Sequence, residues 1–272
     1  MTKHAELDAA LEKLAGDYQK LNDKQINFAI KEIARVRGDI SDILSDFADK
    51  DGIIKRERLA RLLRELNEVE LLIREYGTAA MDAIIKETSA FTTAGANAAI
   101  LGAVGSGALV TAQMERLNRD VFEYVVKRFG EDGLILSDRV WRLSGDMRDE
   151  LSKVLRADIL RGESVSTMIA NIRQVHENET WKIKRLVVTE GNTAYRAATA
   201  MNAERSDIVQ WVKINESGRR HRHHPSHRCY KLAREDNYGV GSGIFKPSDS
   251  QIYMPHPNCS SFITYVIDED YL

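Results

Sequence analysis

The sequence predicts a mainly α-helical protein, with an elongated helical N-terminal region followed by a small C-terminal α+β module. Three observations support this fold class. None of the four prolines occurs before residue 225, so the first 224 residues are free to be helical. Apolar residues there recur at steps of three and four, the period of an amphipathic helix. The tail, residues 218–267, holds both cysteines and five of the seven histidines.

The N-terminal region is predicted to begin with two helical stretches and a turn. In the first stretch, the apolar spacing is that of a helix that packs against a partner helix. Its apolar residues are Leu7, Leu11, Leu14, Tyr18 and Leu21. The pattern restarts after Asn22 and Asp23 and continues to Phe47. A turn at residues 49–54 then leads to an amphipathic helix with the apolar face Leu59, Leu62, Leu63, Leu66, Val69, Leu72 and Ile73.

Residues 88–114 contain no charged side chain and are rich in Ala, Gly, Ser and Thr. The stretch is long enough to span a bilayer. Asn97, Gly102 and Ser106 dilute its apolar character, however. We therefore predict helices with small residues that pack closely against protein, without stable membrane association.

Four more helical segments and one strand are predicted in the rest of the chain. Ser137 or Asp138 can cap a helix through a side-chain oxygen, and Gly162 can end that helix because glycine tolerates positive φ. Ser164 or Ser166 can start the next one. The helical segments are 114–129, 138–161, 164–172 and 181–202, and the strand is 262–266.

Two short motifs in the tail carry residue types that bind metal ions. One is His224-Pro225-Ser226-His227-Arg228-Cys229 and the other is His256-Pro257-Asn258-Cys259. Zinc prefers imidazole and thiolate ligands, and two ligand pairs separated by a loop are typical of a closed, four-coordinate structural site. Both cysteines and His256 are expected ligands, and His224 is preferred over His227 because its distance from Cys229 gives the chain more room. The candidate ligands are His224, His227, Cys229, His256 and Cys259.

Other interpretations of these histidines and cysteines stay open. The residues can pack without a metal, the two cysteines can form a disulfide, or the group can take part in catalysis. Residues 1–6 lack the pattern of a signal peptide, so we expect a reducing compartment and free thiols.

The tail also has a local excess of positive charge. The formal net charge of the whole chain is only -2, so no global field attracts nucleic acid or an anionic membrane. Between Lys213 and Arg234, however, seven basic residues occur with one acid, Glu216. Such a segment can contact DNA phosphates or an acidic protein surface, and both alternatives stay open. The candidate contact residues are Arg219, Arg220, Arg222, Arg228, Lys231 and Arg234.

A series of landmarks follows in a recognisable order over about residues 137–267. They are LRADILRGESVSTMIANI within residues 151–172, LVVTE at 186–190, the alanine-rich run 194–203, Trp211, the motif around Cys229, Gly243-Ile244-Phe245 and the motif at 256–259. This order resembles the phage Mu F-like minor head protein family. Residues 52–77 are similar to the helical region upstream in related phage head morphogenesis proteins.

Three positions differ from the family pattern. Val188 stands where the family usually has arginine before the Thr-Glu pair. Ser226 and Ser261 stand where many members have cysteine, with His224 and His227 beside the first of them. Two alternatives follow: histidine replaces cysteine as a ligand, or the metal site is lost.

The resemblance implies a minor structural protein of a tailed-phage head that docks near the portal and supports procapsid assembly or DNA packaging and delivery. Its expected partners are the portal protein, the major capsid or scaffold protein, and packaged DNA. Its expected location is the interior of the virion head, and the host cytoplasm during assembly. We expect no enzymatic activity and a structural zinc ion. The predicted regions are a helical assembly region (1–136), the head morphogenesis module (137–267) and an acidic tail (268–272).

The alternative function is that of a metal-dependent, HNH-like nuclease that uses the same C-terminal group. His223 and His224 would act as base and ligand, with a second ligand at His256. Such a site also needs a carboxylate or asparagine on a following helix, whereas the segment after Cys259 is predicted to be a strand. The assembly function is therefore preferred.

Overall fold

A computed structural model describes residues 2–217 and 224–267 of the chain. The protein is mainly α, as predicted, with a long N-terminal helical region and a small C-terminal module of three antiparallel strands. The helices are α1 (Lys3–Ile33), α2 (Val36–Phe47), α3 (Leu59–Val104), α4 (Thr111–Lys127), α5 (Leu136–Arg161), α6 (Val165–Glu204) and α7 (Arg228–Leu232). The strands are β1 (Val209–Asn215), β2 (Ile244–Phe245) and β3 (Phe262–Ile267). Short 3-10 turns lie at Arg56–Arg58 and Ser250–Ile252.

Two of the helices are longer than predicted. The apolar pattern restarts after Asn22 without a break in the helix, because α1 continues through this position to Ile33. Asparagine often interrupts a helix by bonding to nearby backbone, but the Asn22 amide donates to the Gln25 side chain at 3.4 Å and is completely buried. The predicted segments 164–172 and 181–202 form one helix, α6, since no glycine or proline separates them.

The predicted ends of α5 are close to those observed. The helix begins at Leu136, and the Asp138 carboxylate accepts a hydrogen bond from the Ile135 amide at 3.4 Å. Gly162 ends the helix with a φ of 76°, where a residue without Cβ is least strained. The hydroxyl of Ser164 then caps α6 by accepting a bond from the Thr167 amide at 3.2 Å.

Packing divides the chain into two compact units. The first unit comprises Met1–Gln25, Asp82–Gly133 and Arg185–Leu272, and the second comprises Ile26–Met81 and Leu134–Lys184. The helices α1, α3 and α6 supply residues to both. The predicted division at residues 136 and 137 stays a prediction, and residues 268–272 lie outside the described part of the chain.

In the first unit, the apolar face of α1 is buried. Leu7, Leu11 and Tyr18 have no exposed surface, and Leu14 has almost none. The Tyr18 ring stacks on the Tyr195 ring of α6, with 4.5 Å between the ring centroids. The seam predicted from the spacing of these residues is therefore a packing face.

The uncharged stretch 88–114 uses its polar side chains for internal hydrogen bonds. Thr88 contacts the Gln25 side chain, which donates to it at 3.1 Å. Asn97 accepts from the Leu109 amide at 2.6 Å and donates to the Leu109 carbonyl at 2.8 Å. Within the described residues, no helix combines the length and the apolar character needed to cross a membrane.

The second unit has an apolar core and one buried imidazole. Residues of α2, α3, α5 and α6 fill the core, among them Ile40, Leu44, Leu66, Leu155 and Ile172. An antiparallel bridge joins Ile53 to Ser164. The His176 side chain is only 4% exposed.

The three strands form an antiparallel sheet in the order β2-β1-β3. Val212 of β1 is paired with Phe245 of β2 on one side and with Tyr265 of β3 on the other. The predicted strand 262–266 is confirmed as β3. The hydroxyl of Tyr265 donates to the Thr199 carbonyl of α6 at 2.8 Å, so the sheet is tied to this helix.

Candidate metal centre

The first of the two motifs places a thiol and an imidazole side by side. A turn closes where the His227 amide donates to the His224 carbonyl at 2.9 Å. His227 has an extended backbone and directly precedes the short helix α7, which contains Cys229. Cys229 is 1% exposed, because α7 packs Cys229 and Leu232 into the module.

The second motif brings His256 to that thiol. The Nε2 atom of His256 lies 3.0 Å from the Cys229 sulfur, and its Nδ1 atom lies 2.9 Å from the Pro257 carbonyl oxygen. A carbonyl oxygen only accepts, so Nδ1 carries the proton and Nε2 directs its lone pair at Cys229. Metal-binding histidines commonly donate their second ring N–H to a carbonyl or a carboxylate in this way.

Three predicted ligands converge in one group. The ligand atoms of His227, Cys229 and His256 all lie within 4.8 Å of one another. The His227 and His256 rings are 5.0 Å apart between centroids. A His/Cys group that can hold a metal ion is therefore present, as predicted.

The structure selects His227, and not His224, for this group. The preference for His224 from spacing alone does not match the observed arrangement. His224 is exposed, and its Nδ1 atom is held 2.6 Å from the Ser226 hydroxyl. The tight turn at residues 224–227 removes the room that was expected from the longer separation, while the extended backbone of His227 leads directly to α7 and Cys229.

Cys259 is adjacent to the group but is not one of its three members. Its sulfur lies 3.1 Å from the Ser261 hydroxyl, and its thiol adjoins the Cys229 thiol. Both cysteines are buried and free, so the disulfide alternative does not describe this structure. The Cys259 contact, followed by burial, raises the pKa of the Cys229 thiol well above its ordinary range. A metal ion bound here would have to displace the proton of this thiol.

Two residues of α6 hold the turn that carries His256 and Cys259. The Thr189 hydroxyl accepts a hydrogen bond from the Asn258 amide at 3.1 Å. Asn258 has a φ of 58°, a left-handed conformation that asparagine tolerates better than most residues. The Arg196 guanidinium donates to the carbonyls of Tyr253, Cys259 and Ser261.

Arg196 is not among the site residues predicted from the sequence. A signal for it was nevertheless present: Arg196 is the only charged residue between Glu190 and Glu204, inside an alanine-rich run. A lone charge in such a helix segment indicates either an exposed position or a specific buried contact. Burial lowers the pKa of the Arg196 guanidinium, and the nearby Cys259 opposes this shift.

The predicted contact residues for DNA or an acidic surface are only partly described. Arg219, Arg220 and Arg222 lie outside the described residues, as does His223 of the nuclease alternative. Arg228 is ion-paired with Glu235 at 2.6 Å, and Arg234 is ion-paired with Glu216. Lys231 is exposed. Two of the three described basic residues are thus matched by carboxylates of the same module.

Comparisons of the chain with protein-family models, curated proteins and solved structures found no match. The resemblance of the sequence to phage head proteins therefore stays a prediction.

Proposed function

We propose that this chain is a minor structural protein of a tailed-phage head, which docks near the portal and supports procapsid assembly or DNA packaging. We further propose that a zinc ion stabilises its C-terminal module. The observation that carries the proposal is the convergence of His227, Cys229 and His256 from the two motifs of the tail. The residues are a ligand set for a structural metal ion, and they lie within the part of the chain that resembles the phage family.

The donor set suits zinc better than a hard cation. Zinc binds imidazole nitrogen and thiolate sulfur, whereas magnesium and calcium require oxygen ligands. The ligand atoms of a tetrahedral zinc site lie about 3.3–3.8 Å apart, given the usual zinc–nitrogen and zinc–sulfur bond lengths. All three atoms already lie within 4.8 Å of one another, so small side-chain movements suffice. Cys259 is the proposed fourth ligand, because it adjoins Cys229.

A bound zinc ion would act as a cross-link and would stabilise the thiolate form of the cysteines. Each residue has a defined part in this. His256 presents Nε2 because the Pro257 carbonyl holds its other nitrogen. Cys229 would release its proton to solvent when the ion binds, and His227 would supply the second imidazole. Since Cys229 and His256 are 27 positions apart, the cross-link closes the loop at residues 230–255.

The assembly role is supported by the way in which the family-like landmarks contact one another. Thr189, from the LVVTE landmark, accepts the amide of Asn258 in the second His/Cys motif. Arg196, from the alanine-rich run, binds the carbonyl of Cys259 in the same motif at 3.1 Å. Landmarks that are far apart in the sequence thus contact one another in one structural module.

Elemental analysis tests the zinc site. We expect about one equivalent of zinc in protein purified without chelator, and a large loss in the Cys259→Ser and His227→Ala variants. The matched control is His224→Ala, which should retain its zinc because His224 lies outside the group. Less than about a tenth of an equivalent in the wild-type protein would leave ordinary packing as the explanation of the cluster.

Isolation of phage assembly intermediates tests the head function. We expect the chain to co-purify with portal rings or procapsids, and its deletion to lower the yield of DNA-filled heads. Procapsids that lack the protein, together with normal head yield and DNA content after deletion, would contradict the proposal. A nuclease assay with added divalent metal separates the assembly function from the nuclease alternative.

A further inference from the structure

Arg196 is the largest completely buried side chain in the described part of the molecule. Its guanidinium makes three hydrogen bonds to backbone carbonyls. Nε donates to Tyr253 at 2.7 Å, and Nη1 donates to Cys259 and Ser261 at 3.1 Å each. These acceptors lie on both sides of His256 and include Cys259 itself.

A buried guanidinium needs its partners, since an isolated charge is expensive to remove from water. The carbonyls of the segment 253–261 supply them. Conversely, if that segment moves away, the charge on Arg196 is left without these acceptors. The free energy of burying Arg196 is therefore coupled to the position of the backbone that carries His256 and Cys259.

We propose that Arg196 is a positioning residue of the metal centre, which holds the His256 and Cys259 backbone in place before an ion binds. The inference rests on the zinc site proposed above. A ligand set that is already ordered loses less conformational entropy when it binds its ion. Arg196 acts through the backbone of the ligands and does not itself coordinate the metal.

Arginine suits this task better than lysine. The planar guanidinium offers five donors in a fixed arrangement, so one side chain can serve three carbonyls. A lysine ammonium at the end of a flexible chain retains the charge but cannot reproduce that arrangement. Arg196→Lys therefore separates the effect of positioning from the effect of positive charge.

The test compares Arg196→Lys and Arg196→Gln with a matched control, Arg128→Lys. The Arg128 side chain is also largely buried, at 6% exposed, but it pairs with Glu190 at 2.6 Å and not with the turn that carries the ligands. Zinc affinity is measured by competition with a chromophoric chelator, and the ligand geometry by the absorption spectrum of the cobalt-substituted protein. Circular dichroism reports whether each variant keeps its helices. If Arg196→Gln does not fold, the comparison uses Arg196→Lys alone.

We expect both Arg196 variants to bind zinc about 10–100-fold more weakly, the range typical of residues that support metal ligands. Their cobalt bands should be altered in intensity and position, whereas Arg128→Lys should match the wild type in both measurements. An Arg196→Lys protein with wild-type affinity and spectrum would overturn the inference, because charge alone would then be sufficient.

A second measurement uses the metal-free protein and so separates this inference from the zinc proposal. In a Cys229→Ser background, a thiol reagent labels Cys259 alone. We expect Arg196→Lys to speed this labelling, and Arg128→Lys to leave its rate unchanged. Equal rates in all three proteins would overturn the positioning role. If the wild type binds neither zinc nor cobalt, the zinc proposal is wrong and the positioning role for a metal falls with it.

Discussion

At the scale of single residues, the environment of each histidine decides its chemistry. The Pro257 carbonyl fixes the proton of His256 on Nδ1 and leaves Nε2 available to Cys229 or to a metal. His176 is in a different situation. Its Nε2 atom is buried without a hydrogen-bond partner among the described residues, so the protonated ring would have no acceptor there. Protonation of the His176 imidazole is therefore unfavourable in the folded protein.

His176 should make stability dependent on pH. Burial, followed by the nearby charge of Arg37, lowers the pKa of His176 below its ordinary value of about 6.5. The unfolded chain then binds more protons than the folded chain between the lowered pKa and about 6.5. The contribution of neutral His176 to stability is therefore complete above about pH 6.5 and is lost as the pH falls, by at most about 1.4 kcal/mol per pH unit.

The measurement is the difference in unfolding free energy between the wild type and His176→Gln, followed from pH 7 to pH 5. We expect the wild type to lose more stability than the variant over this range. Arg37→Gln should give an intermediate slope, since it removes one of the two causes of the lowered pKa. Parallel pH profiles for the wild type and His176→Gln would show that this imidazole does not contribute.

At the scale of elements, one face of α6 organises the C-terminal module. Thr189 contacts the Asn258 amide, Arg196 contacts three carbonyls, and Thr199 accepts from the Tyr265 hydroxyl of β3. These α6 residues are seven and three positions apart, which places them along the same side of a helix. The second His/Cys motif and the sheet are therefore both positioned by this helix.

At the start of β2, the backbone conformation and its close neighbours require glycine at position 243. Its φ is 77°, and a Cβ there would lie 3.0 Å from the Ala233 carbonyl oxygen and 3.2 Å from that of Ile214. We predict that Gly243→Ala destabilises the module through both the positive φ, which costs about 1–2 kcal/mol, and the crowding of these oxygens. The measurement is chemical denaturation followed by a signal from the module.

Gly239→Ala is the matched control for this prediction. Gly239 has a φ of 70°, but a Cβ at this position would have nothing within 4 Å. Gly239→Ala should therefore lose only the free energy of placing alanine at a positive φ. Gly243→Ala should be the more destabilising of the two. Equal losses in both variants would show that the approach of the carbonyls at Gly243 is unimportant.

At the scale of the whole molecule, the two kinds of structure have different sources of stability. The helices of both units bury continuous apolar faces, such as that of α1 with Leu7, Leu11 and Tyr18. The C-terminal module has three strands of seven, two and six residues and long connections between them. A small sheet with few residues gains much from an additional cross-link.

Removal of the proposed zinc ion should therefore loosen the module and leave the helices folded. We expect a chelator to change the fluorescence of Trp211 in β1 with little loss of helical circular dichroism. Trp141→Phe and Trp181→Phe leave Trp211 as the sole tryptophan, so that the signal reports on the module. Re-addition of zinc should restore it, and the His227→Ala protein should not respond. Simultaneous loss of both signals in the wild type would contradict independent stability of the helices.

The sequence by itself determined the elements whose signal is local. Periodic apolar residues predicted the helical region, the β-branched and aromatic residues at 262–266 predicted β3, and Gly162 predicted the end of α5. Composition and the two short motifs located the His/Cys group, because histidine and cysteine are concentrated in the tail. The helix predictions succeeded because the side chains that a helix buries recur every three or four residues along the chain.

Only the tertiary structure decided which residues meet. It placed His227 in the group in preference to His224, and it paired Arg228 with Glu235. It also joined Arg196 to Cys259 across 63 positions. A contact between distant residues depends on how α6 packs against the module, and the spacing of residues within either segment does not report that packing. The chemistry of the candidate site is therefore encoded locally in its residue types, whereas its geometry is set by long-range packing.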